Sequence, residues 1–202
     1  MDLNAPVLPG PLTGLRIGIL MESDFVEAEI DYYRLRFAEA GAEVKLYTRL
    51  WGNESLTFTG RELGGEVKVD GDLEALDYHE LNALHALIVP SGMVSDRLRY
   101  SERPGGVAPA VQVMRRAFRI PRLLKAFSCH GLWLMSAAPE VMAGRTVTCH
   151  NNLVSDVRNM GASYSDTDVA VDRDLVSTRT VEHCHLLART VIEQLSARLV
   201  AA

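Results

Sequence analysis

The sequence predicts an α/β fold, a flavodoxin-like three-layer α/β/α sandwich around a mostly parallel sheet. Three observations predict it. Short runs such as LRIGIL (15–20), HALIVP (85–90) and LLKAFS (123–128) are apolar at nearly every position, as strands covered on both faces are. Those runs alternate with segments of helical apolar spacing. The chain also opens β-α-β, with a crossover long enough to return the second strand parallel to the first.

The elements follow in order. LRIGIL is the first strand. From Asp24 onward Phe25, Ala28, Tyr32, Leu35, Phe37 and Ala38 recur at helical spacing, and Gly41 closes that helix with a backbone free to take positive φ. AEVKLYT (42–48) is the second strand, and the Gly-, Asp- and Glu-rich residues 51–73 hold a short hairpin or irregular loops. HALIVP is a buried strand closed by a Ser-Gly turn, 107–119 an amphipathic helix, and LLKAFS a further strand. GLWLMSAA (131–138) has helical character and stops before Pro139. RTVTCH and VAVDRDLVST read as strands, and 181–199 as the closing helix.

The chain has 202 residues, 48% hydrophobic and 23% charged, enough for one domain with a sizeable core. We expect that domain over 15–202, after a flexible arm (1–14, MDLNAPVLPGPLTG) that lacks the pattern of a signal peptide. The net charge of -5 excludes a general nucleic-acid footprint, and Arg115, Arg116, Arg119 and Arg122 read as a solvated helix face. No apolar run approaches the roughly 20 residues of a membrane span. Cys129, Cys149 and Cys184 contain no CxxC pair, which argues against a disulfide framework or a structural zinc site and for a cytoplasmic protein with reduced thiols. In His183-Cys184-His185, helical neighbours point different ways, so no metal site is expected there.

The chemistry concentrates at KAFSCHGLW (125–133). A strand that ends in Cys129, followed by His130 and Gly131, sets a thiol at the carboxyl edge of the sheet, where doubly wound folds bind ligands. A helix starting there would favour thiolate, so a lowered thiol pKa is expected. The alternative is a cysteine that merely packs.

With MESDFVEAEI, ALIVPSGMVSDRLR, SCHG, TVTCHNNLVSDVRNMGA and VAVDRDLVSTR in order, the chain resembles the ThiJ/PfpI family of the class I glutamine-amidotransferase-like superfamily over residues 15–197. That resemblance implies Cys129 as nucleophile and Glu29 as the acid whose carboxyl group, raised in pKa, hydrogen-bonds the sulfur. It implies His130 as the triad histidine and Asp96 as an acid reaching His130 from a neighbouring subunit. His150 would be a second proton carrier near the cysteine. An oxyanion hole would use the N–H of Gly92 with that of Gly131 or Leu132. The sequence departs from the family pattern at Ser91, where Pro-Gly-Gly is usual. It departs again at Leu132-Trp133 after the Cys-His-Gly, at His85, at Thr180-Val181-Glu182 and at the insertion-like RPGGVAP (103–109).

The resemblance implies a homo-oligomer, dimeric or larger, that acts without a cofactor or metal on a small-molecule substrate. The expected function is a glyoxalase-, deglycase- or hydrolase-like reaction on a small carbonyl or C–N compound, with Glu29 and His130 handling protons. Two other readings are a peptidase with a Cys129–His130–Asp96 triad completed across subunits, and a redox sensor oxidised at Cys129.

Overall fold

The computed structural model describes residues 10–200. β1 (Arg16–Leu20), α1 (Glu27–Glu39) and β2 (Glu43–Thr48) form the opening unit, and Gly41 has φ +91° after the helix. An antiparallel hairpin follows, β3 (Leu56–Thr59) and β4 (Glu66–Val69), then β5 (Gly71–Asp72), α2 (Tyr78–Ala83) and β6 (Ala86–Val89). Next come α3 (Val94–Leu98), α4 (Pro109–Phe118) and β7 (Leu124–Ser128). A 3-10 helix, Cys129–Ala137, starts at the very residue after β7. The chain ends with α5 (Pro139–Met142), β8 (Thr146–Val147), α6 (Val154–Asn159), β9 (Ser163–Tyr164), β10 (Val169–Asp172), β11 (Leu175–Thr178) and α7 (Cys184–Val200).

The main sheet runs β10-β11-β7-β6-β1-β2-β5, and every neighbouring pair is parallel except β10 with β11. α1 packs on α7, which lies along β7 and β11, while α4 packs with α2, α3 and the Cys129–Ala137 helix. Both faces of the sheet are thus covered. That is why β6 and β7 are buried at every position and read as mostly apolar runs.

From β1 the chain winds one way to β2 and β5, then crosses back to β6, β7 and β11 on the other side. The switch point lies between β1 and β6. Register brings Val89 opposite Phe127 and Ser128 opposite Thr178, so the segments leaving β6, β7 and β11 converge at one edge.

One expectation needs correction. RTVTCH gives only the two-residue β8, which pairs with β9 outside the main sheet, while the Thr148 N–H that follows it donates to the Ser177 side chain. GLWLMSAA is helical, in the 3-10 form. Of the arm expected over 1–14, residues 1–9 lie outside the described residues. Leu12, however, is fully buried, and its N–H donates to Ala40 O at 2.8 Å.

Candidate active site

Cys129 is the turning point between β7 and the 3-10 helix, and it holds φ +54°, a left-handed value unusual for a side chain with a Cβ. Such strain persists only where surroundings over-determine it. Here Gly131 supplies part of that constraint, since a Cβ on it would sit 2.5 Å from Val89 O. The elbow therefore lies directly on the end of β6.

Cys129 lines a cavity of ≈ 400 Å³ together with Ser91, Gly92, His130 and His150, with Val26, Arg61, Glu62, Thr180, Val181 and Glu182 forming the remaining wall. This is the size of a small-molecule site. Cys129 Sγ lies 3.2 Å from His130 Nδ1, and the His130 and His150 rings stack with centroids 4.4 Å apart. Burial, then the nearby His150 and Arg61, hold the His130 pKa down, so the ring is neutral and able to accept a proton at neutral pH.

The expected lowering of the Cys129 pKa does not occur. Burial and then the Glu29 carboxyl push the thiol up to about 11, against the opposing backbone N–H groups of His130 and Val181 and the Ser91 hydroxyl. With Cys129 only 8% exposed, desolvation outweighs the amides at the start of the 3-10 helix.

Glu29 is fully buried on α1. Its Oε1 accepts from Tyr33 Oη at 2.8 Å and from Ser91 Oγ at 3.1 Å, and its Oε2 accepts from Ser91 N–H at 2.8 Å. Burial raises its pKa against those hydrogen bonds. The hydrogen-bond partners of the carboxyl are Ser91 and Tyr33, and that of the sulfur is His130.

His150 caps the turn that follows it, its Nδ1 accepting from Asn152 N–H at 3.3 Å. Gly92 lines the cavity with φ +79°, in a place where a Cβ would lie 2.3 Å from Asp24 O. Gly131 and Leu132 are outside the cavity lining. The backbone donors that bear on the sulfur are those of His130 and Val181. Asp96 is exposed on α3 and borders a separate groove with Glu22, Trp51, Arg97, Arg99 and Tyr100, so a single chain does not bring it to His130. His183 and His185 turn to separate partners, Thr180 Oγ1 and Glu182 O, and no cluster of three metal-ligating side chains occurs among the described residues.

The sequence reading missed the wall formed by the β3–β4 hairpin. Arg61 and Glu62 reach the cavity because Glu27, at the start of α1, holds the hairpin tip. Its carboxylate accepts from Leu63 N–H at 2.8 Å, Glu62 N–H at 3.1 Å and Gly65 N–H at 3.3 Å. Burial would raise the Glu27 pKa, but these amides and its own hold it near about 2. The closely spaced Gly60, Gly64 and Gly65 were the available signal, since a Cβ on Gly60 would lie 2.2 Å from the Glu27 carboxyl carbon. A carboxylate with a depressed folded pKa stabilises above its unfolded value and loses that contribution as pH falls toward the folded one. Glu27→Gln is therefore expected to speed proteolytic nicking at 60–65 at pH 7, and acid below about pH 4 to do the same to the wild type. Equal nicking rates would show that Glu27 does not hold the tip.

The DJ-1/PfpI family profile matches residues 15–194. A deglycase of Pyrococcus horikoshii is 28% identical over 181 residues, covering 90% of this chain and 99% of that protein. Protein/nucleic acid deglycase 2 of Escherichia coli is 28% identical over 183 residues, covering 90% and 98%. Among solved structures, a ThiJ/PfpI domain protein of Brachyspira murdochii superposes with TM-score 0.75 at 20% identity, covering 92% of this chain and 98% of that one. DJ-1 of Schizosaccharomyces pombe gives TM-score 0.73 at 13% identity, covering 89% and 91%. No helix among the described residues is long and apolar enough to cross a membrane. With the sheet order, the elbow after β7 and a family match over nearly all of its length, the chain belongs to the DJ-1/PfpI family.

Proposed function

We propose that this protein is a cofactor-independent enzyme in which Cys129 attacks a small carbonyl or C–N electrophile. A 2-oxoaldehyde, or the adduct it forms with an amine, is the simplest such substrate. The observation that carries the reading is the 3.2 Å approach of Cys129 Sγ to a neutral His130 in the lining of a small-molecule cavity. The relatives named deglycases support the substrate class.

Because the thiol pKa is raised, the nucleophile is made at the moment of attack rather than stored as thiolate. His130 Nδ1 takes the thiol proton, which requires the tautomer protonated at Nε2. The sulfur lone pair forms the S–C bond, the carbonyl π pair moves to oxygen, and the resulting oxyanion recovers the proton from the imidazolium to give a hemithioacetal. His150, stacked on His130, disfavours the imidazolium form of His130 and so helps return that proton.

Loss of methylglyoxal monitored in solution, with mass spectrometry of the Cys129 peptide under turnover, tests the assignment. Turnover with a transient Cys129 adduct supports it. Turnover that persists without Cys129 removes it. His130→Ala is expected to lower kcat by about 10²–10⁴-fold with KM little changed, the usual loss for a proton-transfer group. An unchanged kcat would exclude His130 as the base.

A further inference from the structure

Resting on the reading of Cys129 as nucleophile toward small carbonyl compounds, we propose that Thr180 is a specificity-determining residue of the same cavity. Its hydroxyl oxygen presents a hydrogen-bond acceptor there and selects 2-oxoaldehydes that carry a hydroxyl on the carbon beyond the keto group.

The arrangement is built where β10 begins and β11 ends. The two strands are antiparallel, with Val169 opposite Thr178, so Asp168 and Arg179 face each other just beyond them, and Arg179 N–H donates to Asp168 O at 3.1 Å. The Arg179 side chain reaches Asp166 at 2.6 Å and Asp168 at 3.4 Å, which pins this corner. His183, on the turn that leads into α7, stands between Asp168 and Thr180. Its Nε2 lies 3.4 Å from Asp168 Oδ1 and its Nδ1 lies 2.9 Å from Thr180 Oγ1. Thr180 in turn lines the cavity that Cys129 lines.

A threonine hydroxyl has one hydrogen and two lone pairs. Thr180 sits immediately before the short 3-10 turn Val181–His183, where a threonine oxygen ordinarily accepts a backbone N–H, yet it makes no such cap. Its lone pairs are thus not used by the turn. Its hydrogen, by contrast, has two takers. The Asp168 carboxylate favours the His183 proton on Nε2, which leaves Nδ1 as an acceptor for the Thr180 hydrogen. The Glu182 carboxyl, also in the cavity wall, is a second acceptor and is held below its usual range chiefly by that hydroxyl. Were His183 to carry both protons, Nδ1–H would donate to Oγ1 and the hydroxyl hydrogen would go to Glu182. In each arrangement the hydrogen is taken and a lone pair of Oγ1 remains. The group offered to a ligand is an acceptor.

Such an oxygen selects an O–H or N–H. The place of that donor along the substrate follows from the next residue, because the Val181 amide bears on the Cys129 sulfur and Thr180 precedes it. A carbonyl compound joined to the sulfur therefore meets Thr180 with atoms two or three bonds beyond the attacked carbon. Thr180 neither gives nor takes a proton in this role, and the step at sulfur is unchanged.

Three 2-oxoaldehydes test the assignment: hydroxypyruvaldehyde, ethylglyoxal, in which a methyl replaces the hydroxyl, and methoxypyruvaldehyde, whose ether oxygen accepts but cannot donate. Turnover is measured for each, together with the slowing of iodoacetamide alkylation at Cys129, read by mass spectrometry. In the wild type kcat/KM for hydroxypyruvaldehyde is expected to exceed that for the other two by about 5–10-fold, through KM, the range of one neutral hydrogen bond. Thr180→Val is expected to bring that ratio to about one and Thr180→Ser to restore it. A ratio taken within one variant does not depend on how much of the protein is folded. A wild-type ratio near one, a ratio that survives Thr180→Val, or a methoxy compound as good as the hydroxy compound would overturn the inference and leave Cys129 as nucleophile. If none of the three turns over, the proposed function falls. Protection of Cys129 by the same compounds, with the same ratios expected, then still decides the role of Thr180.

Discussion

Cys129→Ser is expected to abolish turnover by at least 10³-fold while the fold survives, the loss typical when a nucleophile that works with a base is removed. The change is one atom at a residue already held at φ +54°, so backbone strain is the same in both forms. A serine hydroxyl is a far weaker nucleophile than a thiol, and its activation by the neutral His130 is correspondingly poorer. Its oxygen also keeps the polar character the surrounding amides of His130 and Val181 accommodate. Thermal melting and methylglyoxal consumption, measured side by side, provide the check. Melting within a few degrees of wild type with turnover lost is the expected pair. Retained turnover would place the chemistry on another residue, and joint loss of melting and turnover would make Cys129 a structural cysteine.

The largest expected stability effect lies at the opposite end of the same strand. Lys125, fully buried in β7, donates to Leu123 O at 2.8 Å and to Ile120 O at 3.3 Å, and pairs with Asp174, which Arg145 also holds at 2.6 Å. Burial opposes charge on both members: it pushes the Lys125 pKa down, with Asp174 resisting. At Asp174 the hydrogen bonds of Lys125 and Arg145 outweigh burial and hold the carboxyl below its usual range. Asp174 is therefore ionised at neutral pH. Lys125→Met leaves Asp174 with one cation fewer and two backbone carbonyls without their donor, and is expected to cost about 3–5 kcal/mol. In a chain of this size that corresponds to a fall in melting temperature on the order of 10 °C. Because the folded Asp174 pKa is depressed, its share of the stability is present above the unfolded carboxylate value. That share drains away as pH drops through the folded one. The gap between wild type and Asp174→Asn should therefore narrow in acid. A gap that stays constant from pH 7 to pH 3 would mean that the charge on Asp174 contributes nothing.

How much of this was legible in the sequence follows from the range of each interaction. β6 and β7 announced themselves because burial on both faces demands apolar residues at every position, and the 128–131 turn did so because a strand that ends in Cys-His-Gly has few other uses. Even so, Lys125 sat unnoticed inside LLKAFS, since a buried lysine is recognisable only once Asp174, 49 residues later, is seen beside it. Glu29 was legible as a candidate and its partner was not. Whether its carboxyl meets the sulfur or Ser91 depends on a separation of 62 residues that no local pattern encodes. The thiol pKa went the wrong way for a related reason. Local reading sees a helix start, whereas the dominant influence is burial by chain segments that arrive from elsewhere.

The cavity wall has a consequence for synthesis. Its parts come from Val26 near the start of the chain, the hairpin at 61–62, the turns after β6 and β7, and the Thr180–Glu182 segment near the end. A nascent chain on the ribosome emerges in that same order, so every polypeptide shorter than about 180 residues carries Cys129 without the Val181 amide and without the α7 cover over β7 and β11. Contacts of such long sequence separation form late and slowly. The thiol therefore spends its translation more open to solvent than at any later time, and closer to the behaviour of an ordinary cysteine. The site is closed only when the segment around Val181 joins the elements that precede it.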